Sequence, residues 1–328
     1  MSIAAFVIIA FMLAVYVLLD GYDLGVAAIT PLVAQTDRQR EGSMRSIGPF
    51  WNGNEVWLIA AGGVLFALFP KAYASSFSGF YLPFIIVLWL LMFRGIAMEL
   101  RSHFPSEIWH QFWDVCFAAS SVLLILLFGV ALGNLLHGVP LDSAGYFIGT
   151  FDELLNPYAL LVGVFAVVAL GLHGATFLVM RTEGPATQRA RRLVPRLWPA
   201  VLVLYIAVTA ATLTDRGIGL TWIDLIPLLT LGSLGAVLFL ALHAREWGTF
   251  LASSLFLASL LLQASVTLYP YLLPSLPPRR GGISIFNAAP SPVALASALT
   301  VTIVGLVAVV VYSVLVTRQM AGKVIVED

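Results

Sequence analysis

Residues 3–30 read IAAFVIIAFMLAVYVLLDGYDLGVAAIT, an apolar run interrupted by two acids, Asp20 and Asp23. A hydrocarbon core of about 30 Å takes roughly 20 apolar residues in helical form, so this stretch is long enough to cross one. No basic segment precedes it, no small-residue cleavage site follows it, and the apolar pattern runs on to Val33. It reads as a retained first helix and not as a signal peptide. The same length criterion marks further spans at approximately 51–70, 77–99, 114–136, 157–180, 197–214, 222–243, 248–274 and 292–317. Unpaired backbone groups are not tolerated in lipid, so these spans are expected as helices. The alternating ten-residue signature of a membrane barrel is absent.

The expectation is an all-α polytopic membrane protein forming one membrane domain over 1–328, with nine transmembrane helices. They are expected as a four-helix bundle at about 1–136, a second at about 157–274 and a peripheral helix at about 292–317. Composition agrees, with 60% apolar and 10% charged residues and a mean hydropathy of +0.97. A soluble fold of this size needs far more charge to cover its surface. The 17 basic and 17 acidic residues balance, which gives no support to nucleic-acid binding. The one cysteine, Cys116, lies in an apolar run and reads as a small core residue with no disulfide partner.

Nine spans put alternate loops on opposite sides. One side collects Arg38, Arg40, Arg45, Arg94, Arg101, Arg181, Arg189, Arg191, Arg192, Arg196, Arg245, Arg318 and Lys323; the other has Lys71, Arg216, Arg279 and Arg280. The positive-inside rule then places the N-terminus outside and the C-terminus in the cytoplasm. Pro105–Asp114, with Ile108, Trp109, Phe112 and Trp113 at helical spacing, is expected to lie in the headgroup region. The basic stretch 181–196 is expected as a solvated loop with anionic-lipid contact as a second role, and 274–292 as an external loop. LLDGYDLGV at 18–26 and LGLHGATFLV at 170–179 echo each other faintly, as a four-plus-four-plus-one duplication requires.

Ionisable groups inside spans are costly and are functional candidates by default. Asp20 and Asp23 are three residues apart on one helical face, with Tyr16 a turn earlier. Two carboxyls in low dielectric do not readily ionise together, which suits them to proton transfer, whereas pairing with an arginine or a helix end is the structural alternative. Asn52 and Glu55 share a face of the second span. Asn54 and Trp51 accompany them, Trp57 is expected as an interfacial anchor, a structural ion pair is the alternative for Glu55, and Gly62 and Gly63 are expected to admit a close neighbour. Arg94 and Arg101 share a face of the third span, with Arg94 a partner for the aspartates and Arg101 free to snorkel; Glu99 points elsewhere, toward a different helix. Asp20, Asp23, Asn52, Glu55 and Glu99 are the proton-path candidates, with Asp23, Glu55 and Glu99 toward the cytoplasmic side. His173 reads as a satisfied core histidine. Asp224 and Gln263 are isolated. No catalytic residue and no metal cluster is expected in this chain.

These residues resemble a known family. LDGYDLGV at 19–26, WNGNEVWLIAAGG at 51–63, SFSGFY at 76–81, FRG at 93–95 with ELR at 99–101, GVALGNLLHGVP at 129–140, LLNP at 154–157 and HGATFL at 173–178 are similar, in order, to the motifs of subunit II of cytochrome bd-type quinol oxidases. There is also some similarity to the cyanide-insensitive branch. The resemblance implies pairing with a larger subunit I that ligates haem b and haem d and oxidises quinol. The complex would reduce dioxygen to water with protons drawn from the cytoplasm, in a bacterial inner membrane. Subunit II would contribute assembly, part of a proton route and, in some members, a structural quinone; small single-helix subunits are further implied partners. Some members carry an aspartate where this chain has Asn52, which cannot titrate, so either Glu55, one turn on, takes that role, which is the preferred expectation, or the route runs entirely through the partner. A secondary transporter with intramembrane carboxylates is the alternative reading, and a passive scaffold a third.

Overall fold

The computed structural model describes residues 1–216, 225–276, 282–320 and 322–325. Asp224, Arg279 and Arg280 lie outside the described residues, as does the side chain of Arg216. Eleven α-helices are described: α1 (Ser2–Val33), α2 (Asp37–Ile47), α3 (Trp51–Leu68), α4 (Pro70–Gly79), α5 (Tyr81–Leu100), α6 (Glu107–His137), α7 (Pro157–Arg181), α8 (Pro185–Arg216), α9 (Leu225–Leu242), α10 (Glu246–Leu268) and α11 (Pro292–Gln319). Two small ribbons complete it, β1 (Thr182–Glu183) parallel to β4 (Val324–Ile325) and β2 (Tyr271–Pro274) antiparallel to β3 (Gly282–Ser284).

Eight of these helices are long and apolar enough to cross a membrane. The difference from nine falls at α3, which matches α9 in length but opens on the polar turn Trp51–Glu55. It nonetheless runs antiparallel to α1 for the length of the bundle. Asn54 meets Tyr22 and Asp23 at one end, Trp57 and Ala61 pack with Met12 and Tyr16, and Leu68 joins Ala5 and Ile9 at the other.

Charge in a loop reports solvation and not conformation, and helix is found in segments that the sequence marks only as lying between spans. The first loop is largely helix α2, capped by Thr36, whose side chain accepts from the Gln39 amide. The basic stretch 181–196 is mostly the start of α8, a 32-residue helix that continues through Pro195 and Pro199. The segment Pro105–Asp114 is not separate from its span: α6 runs 31 residues from Glu107, and the Trp109 indole donates to the Leu100 carbonyl at 2.8 Å. The expected span 248–274 stops at Leu268 and continues as β2.

Two helix crossings tie the chain together. α1 and α7 meet at Gly25 and Gly174, where a Cβ on Gly25 would overlap the Leu170 carbonyl and stand 2.9 Å from the Gly174 nitrogen. These are the two segments of the sequence echo. α6 and α7 meet at Gly129 and Gly163. Small residues let membrane helices approach closely enough for backbone contact. Gly62 and Gly63, expected to do the same, face open space.

The loops fall on two faces. On one, Arg101 bridges Asp37 and Asp114 at 2.5 and 2.6 Å, the Arg189 Nε donates to the Val33 carbonyl at 2.6 Å, and Lys323 reaches Glu183 and Glu246 at 3.3 and 2.8 Å. On the other, Ala5, Leu68, Val139, Leu141, Leu273, Ile283 and Leu295 share a core, and Ser75 Oγ donates to the Gly145 carbonyl at 2.6 Å. Ile59, Leu88, Trp89, Val293 and Val301 point outward and exposed, as a chain set in lipid or against a partner allows.

Gly25→Ala is expected to destabilise the protein by about 1–3 kcal/mol through forced separation of α1 and α7. Gly62→Ala, into open space, should stay within about 0.5 kcal/mol of wild type. Thermal unfolding in detergent measures both, and equal midpoints would show that the crossing does not carry the packing.

Candidate functional site

The LDGYD segment lies wholly inside α1, and helical spacing turns both aspartates toward α3 and α5. Asp20 and Asp23 are inaccessible to solvent, and so is Arg94, which α5 presents to them. Arg94 Nη2 stands 2.8 Å from Asp20 Oδ1 and 4.0 Å from Asp23 Oδ2, while its Nη1 donates to Glu55 Oε1 at 2.7 Å. Asn54 completes the group: its Nδ2 lies 2.7 Å from Asp23 Oδ2 and 2.9 Å from the Tyr22 hydroxyl. Three carboxyls from α1 and α3 therefore converge on one guanidinium from α5. Glu55 is the open member, with 21% of its side chain exposed. Tyr16 and Trp57 are buried in the adjoining core, so Trp57 is no interfacial anchor.

The other singled-out residues divide. Asn52 and Glu99 are exposed and make none of the cluster's contacts. Trp51 is half-buried, its ring 3.3 Å from where a Cβ on Gly95 would stand. Arg101 does not snorkel; it is buried in a second ion-pair group with Asp37 of α2 and Asp114 of α6. Those acids drew no attention in the sequence because each lies near a span boundary, where solvated charge is ordinary. His110, 3.2 Å from Asp37, joins them.

His173 is fully buried, with Nδ1 2.8 Å from Ser253 Oγ and Nε2 3.1 Å from the Leu18 carbonyl. Tyr22 stacks on Phe177 with centroids 4.0 Å apart, which carries the α1 cluster onto α7. On the opposite face Asn156 caps α7 and donates to the Asn134 side chain at 3.0 Å, and Asn134 in turn donates to the Leu154 carbonyl at 2.6 Å. Cys116 is partly buried against the main core. An apolar cavity of about 160 Å³ lies between α1, α6, α7, α8 and α10, with Tyr205, Thr209 and Gln263 on its wall. Among the described residues no group of three or more His, Cys, Asp or Glu is placed to hold a metal ion.

Comparison with known proteins adds the following. The family described as cytochrome bd terminal oxidase subunit II matches residues 1–320. Cytochrome bd-I ubiquinol oxidase subunit 2 of Escherichia coli (strain K12) is 34% identical, over 94% of this chain and 91% of its own length. Cytochrome bd ubiquinol oxidase subunit 2 of Bacillus subtilis (strain 168) is 34% identical over 62% of this chain and 61% of its own. A chain of the bd oxidase structure from Geobacillus thermodenitrificans superposes with a TM-score of 0.77, covering 97% of this chain and 98% of that one. At 17% identity that likeness speaks to the fold alone.

A buried charge left without its partner is more damaging than the pair is stabilising. Arg94→Met is expected to cost about 3–5 kcal/mol, because three carboxyls lose their one cation. Asp20→Asn in the same chain should recover part of that loss. A double-mutant cycle by chemical denaturation in detergent tests this, and simple additivity would argue against the contact.

Proposed function

The chain belongs to the cytochrome bd terminal oxidase subunit II family, matched over residues 1–320, and on that premise we propose that it supplies a proton-holding cluster to the redox chemistry of a haem-bearing partner. Its place is in a quinol-oxidising terminal oxidase complex, an oxidoreductase of the respiratory chain and an integral membrane assembly. The secondary-transporter alternative finds no support beside that membership.

The observation that carries the proposal is the set of three carboxyls around Arg94. One guanidinium balances one carboxylate, so the remaining two are able to hold protons in a site largely closed to solvent. Asp20, shut from solvent and 2.8 Å from Arg94, is the fixed member. Asp23, held by Asn54, and Glu55, partly open to the surface, are the members suited to exchange. Asn52 lies apart from the cluster, exposed and unable to titrate. Glu55, one turn on, takes the role that an acid at position 52 has in some members. Glu99 is a separate exposed acid that a proton on the surface of the chain reaches without the cluster. The basic face is the cytoplasmic one, the N-terminus is outside and the C-terminus is in the cytoplasm. The protons then enter from the cytoplasm.

Haem b and haem d belong to subunit I in this reading. The mid-span histidine, His173, has both ring nitrogens engaged and offers no free axial position. A structural quinone is a different matter. The cavity beside Tyr205 and Gln263 is smaller than the roughly 300–1,000 Å³ of a usual small-molecule site, so it suits a quinone ring and not a long tail. Residues 1–328 act as one membrane unit whose two bundles, α1–α6 and α7–α10, serve assembly with the partner and with any single-helix accessory subunits.

The complex, mildly solubilised through a tag on this chain, should carry a haem-bearing partner and the absorption bands of haem d. Glu55→Gln and Asp23→Asn should each lower quinol-driven oxygen consumption about tenfold or more, with those bands and the assembly intact. Unchanged turnover in both variants would reduce the cluster to a scaffold, whose carboxyls only stabilise packing.

A further inference from the structure

The first turns of α8 carry Arg189, Arg192 and Arg196, spaced so that they share one helical face. The end of α1 faces them. Leu32, Val33 and Leu193 join the three arginines in enclosing a cavity of about 240 Å³. Arg189 is fixed there, with Nε donating to the Val33 carbonyl at 2.6 Å and a terminal nitrogen to the Gln39 side chain. Arg192 and Arg196 are exposed.

None of the three is in an ion pair with a carboxylate among the described residues, and five acids of the same face are engaged by other cations. Asp37 and Asp114 hold Arg101, Glu41 holds Arg45, and Glu183 and Glu246 hold Lys323, with Arg191 also on Glu246. The first turn of α8 has no acid either. Three cations thus share one helix face with no acid among them, and like charges at i,i+3 and i,i+4 repel unless an anion from outside the chain joins them. The surroundings specify that anion. Leu32 is 65% exposed beside the guanidiniums and Leu193 lines the same cavity, so a cationic rim adjoins an apolar wall at the end of two spans.

We propose that this cleft is a binding site for the phosphate of an anionic phospholipid, with its acyl chain along Leu32 and Leu193. Arginine forks match phosphate oxygens in pairs. Basic pockets between membrane helices on the cytoplasmic side bind such headgroups. A free phosphate shares the headgroup chemistry but has no use for the apolar wall. The site is independent of the proton cluster and rests only on the chain crossing a membrane.

The test uses the intact complex, delipidated and then exposed to phosphatidylglycerol or phosphatidylcholine, with bound lipid counted by native mass spectrometry. Wild type should retain phosphatidylglycerol selectively. Arg192→Gln with Arg196→Gln should weaken that retention about 25-fold, a factor of roughly five for each arginine. The paired lysine replacement should keep the preference for the anionic lipid. Equal retention by wild type and the glutamine variant overturns the proposal, as does displacement by excess inorganic phosphate, which would mark a free-anion site. A wild-type complex with no preference between the two lipids overturns it without any variant.

Discussion

A guanidinium shut away from water must find its counter-charges within the chain, and Arg94 finds three. Asp20 and Asp23 come from α1 and Glu55 from α3, so a single α5 side chain fixes the relative rotation of three helices. Apolar packing in lipid is a weak guide to rotation, because the tails are as apolar as the helix faces. A buried ion group is directional. Turning any of the three helices by one residue would strand a charge, at a cost of several kcal/mol. The chemistry proposed for these acids and the positioning of α1, α3 and α5 therefore rest on the same contacts.

The group extends across the molecule. Asn54 links Asp23 to Tyr22, and Tyr22 stacks on Phe177 of α7. Beside it, α1 and α7 approach at Gly25 and Gly174 to backbone contact, and His173 reaches back to the Leu18 carbonyl. The two halves meet through the very segments that echo each other in sequence, LLDGYDLGV and LGLHGATFLV. One carries its polar group as an aspartate in an ion cluster. The other carries a histidine satisfied by hydrogen bonds. The halves share a crossing and differ in charge.

The basic face is held by a different logic. Arg101, Lys323 and Arg191 are matched to acids, and the strand pair β1–β4 holds Val324–Ile325 against Thr182–Glu183. Arg189, Arg192 and Arg196 have no such match among the described residues. Outward-facing residues such as Ile59, Trp89 and Val301 are equally unmet by the chain itself. Lipid and a partner subunit are the two neighbours that such surfaces require, one for apolar faces and the other for an incomplete redox unit.

Much of this was legible in the sequence, because hydrophobic length and charge sidedness are properties of residue type and local order. The long spans, their helical state and the sorting of loops onto two faces follow from the lipid's intolerance of bare backbone and charge. The candidate acids were legible for the same reason, and so was Arg94 as a partner for the aspartates. Pairing in space was not. That Glu55 joins the cluster while Asn52 and Glu99 stay outside it depends on helix rotation. So does the burial of Trp57, the engagement of Arg101 by Asp37 and Asp114, and the choice of Gly25 over Gly62 for a crossing. Composition along the chain determined what must leave water. Only tertiary packing decided which groups meet once they have left it, since a helix face is chosen by its neighbours and not by its own residues.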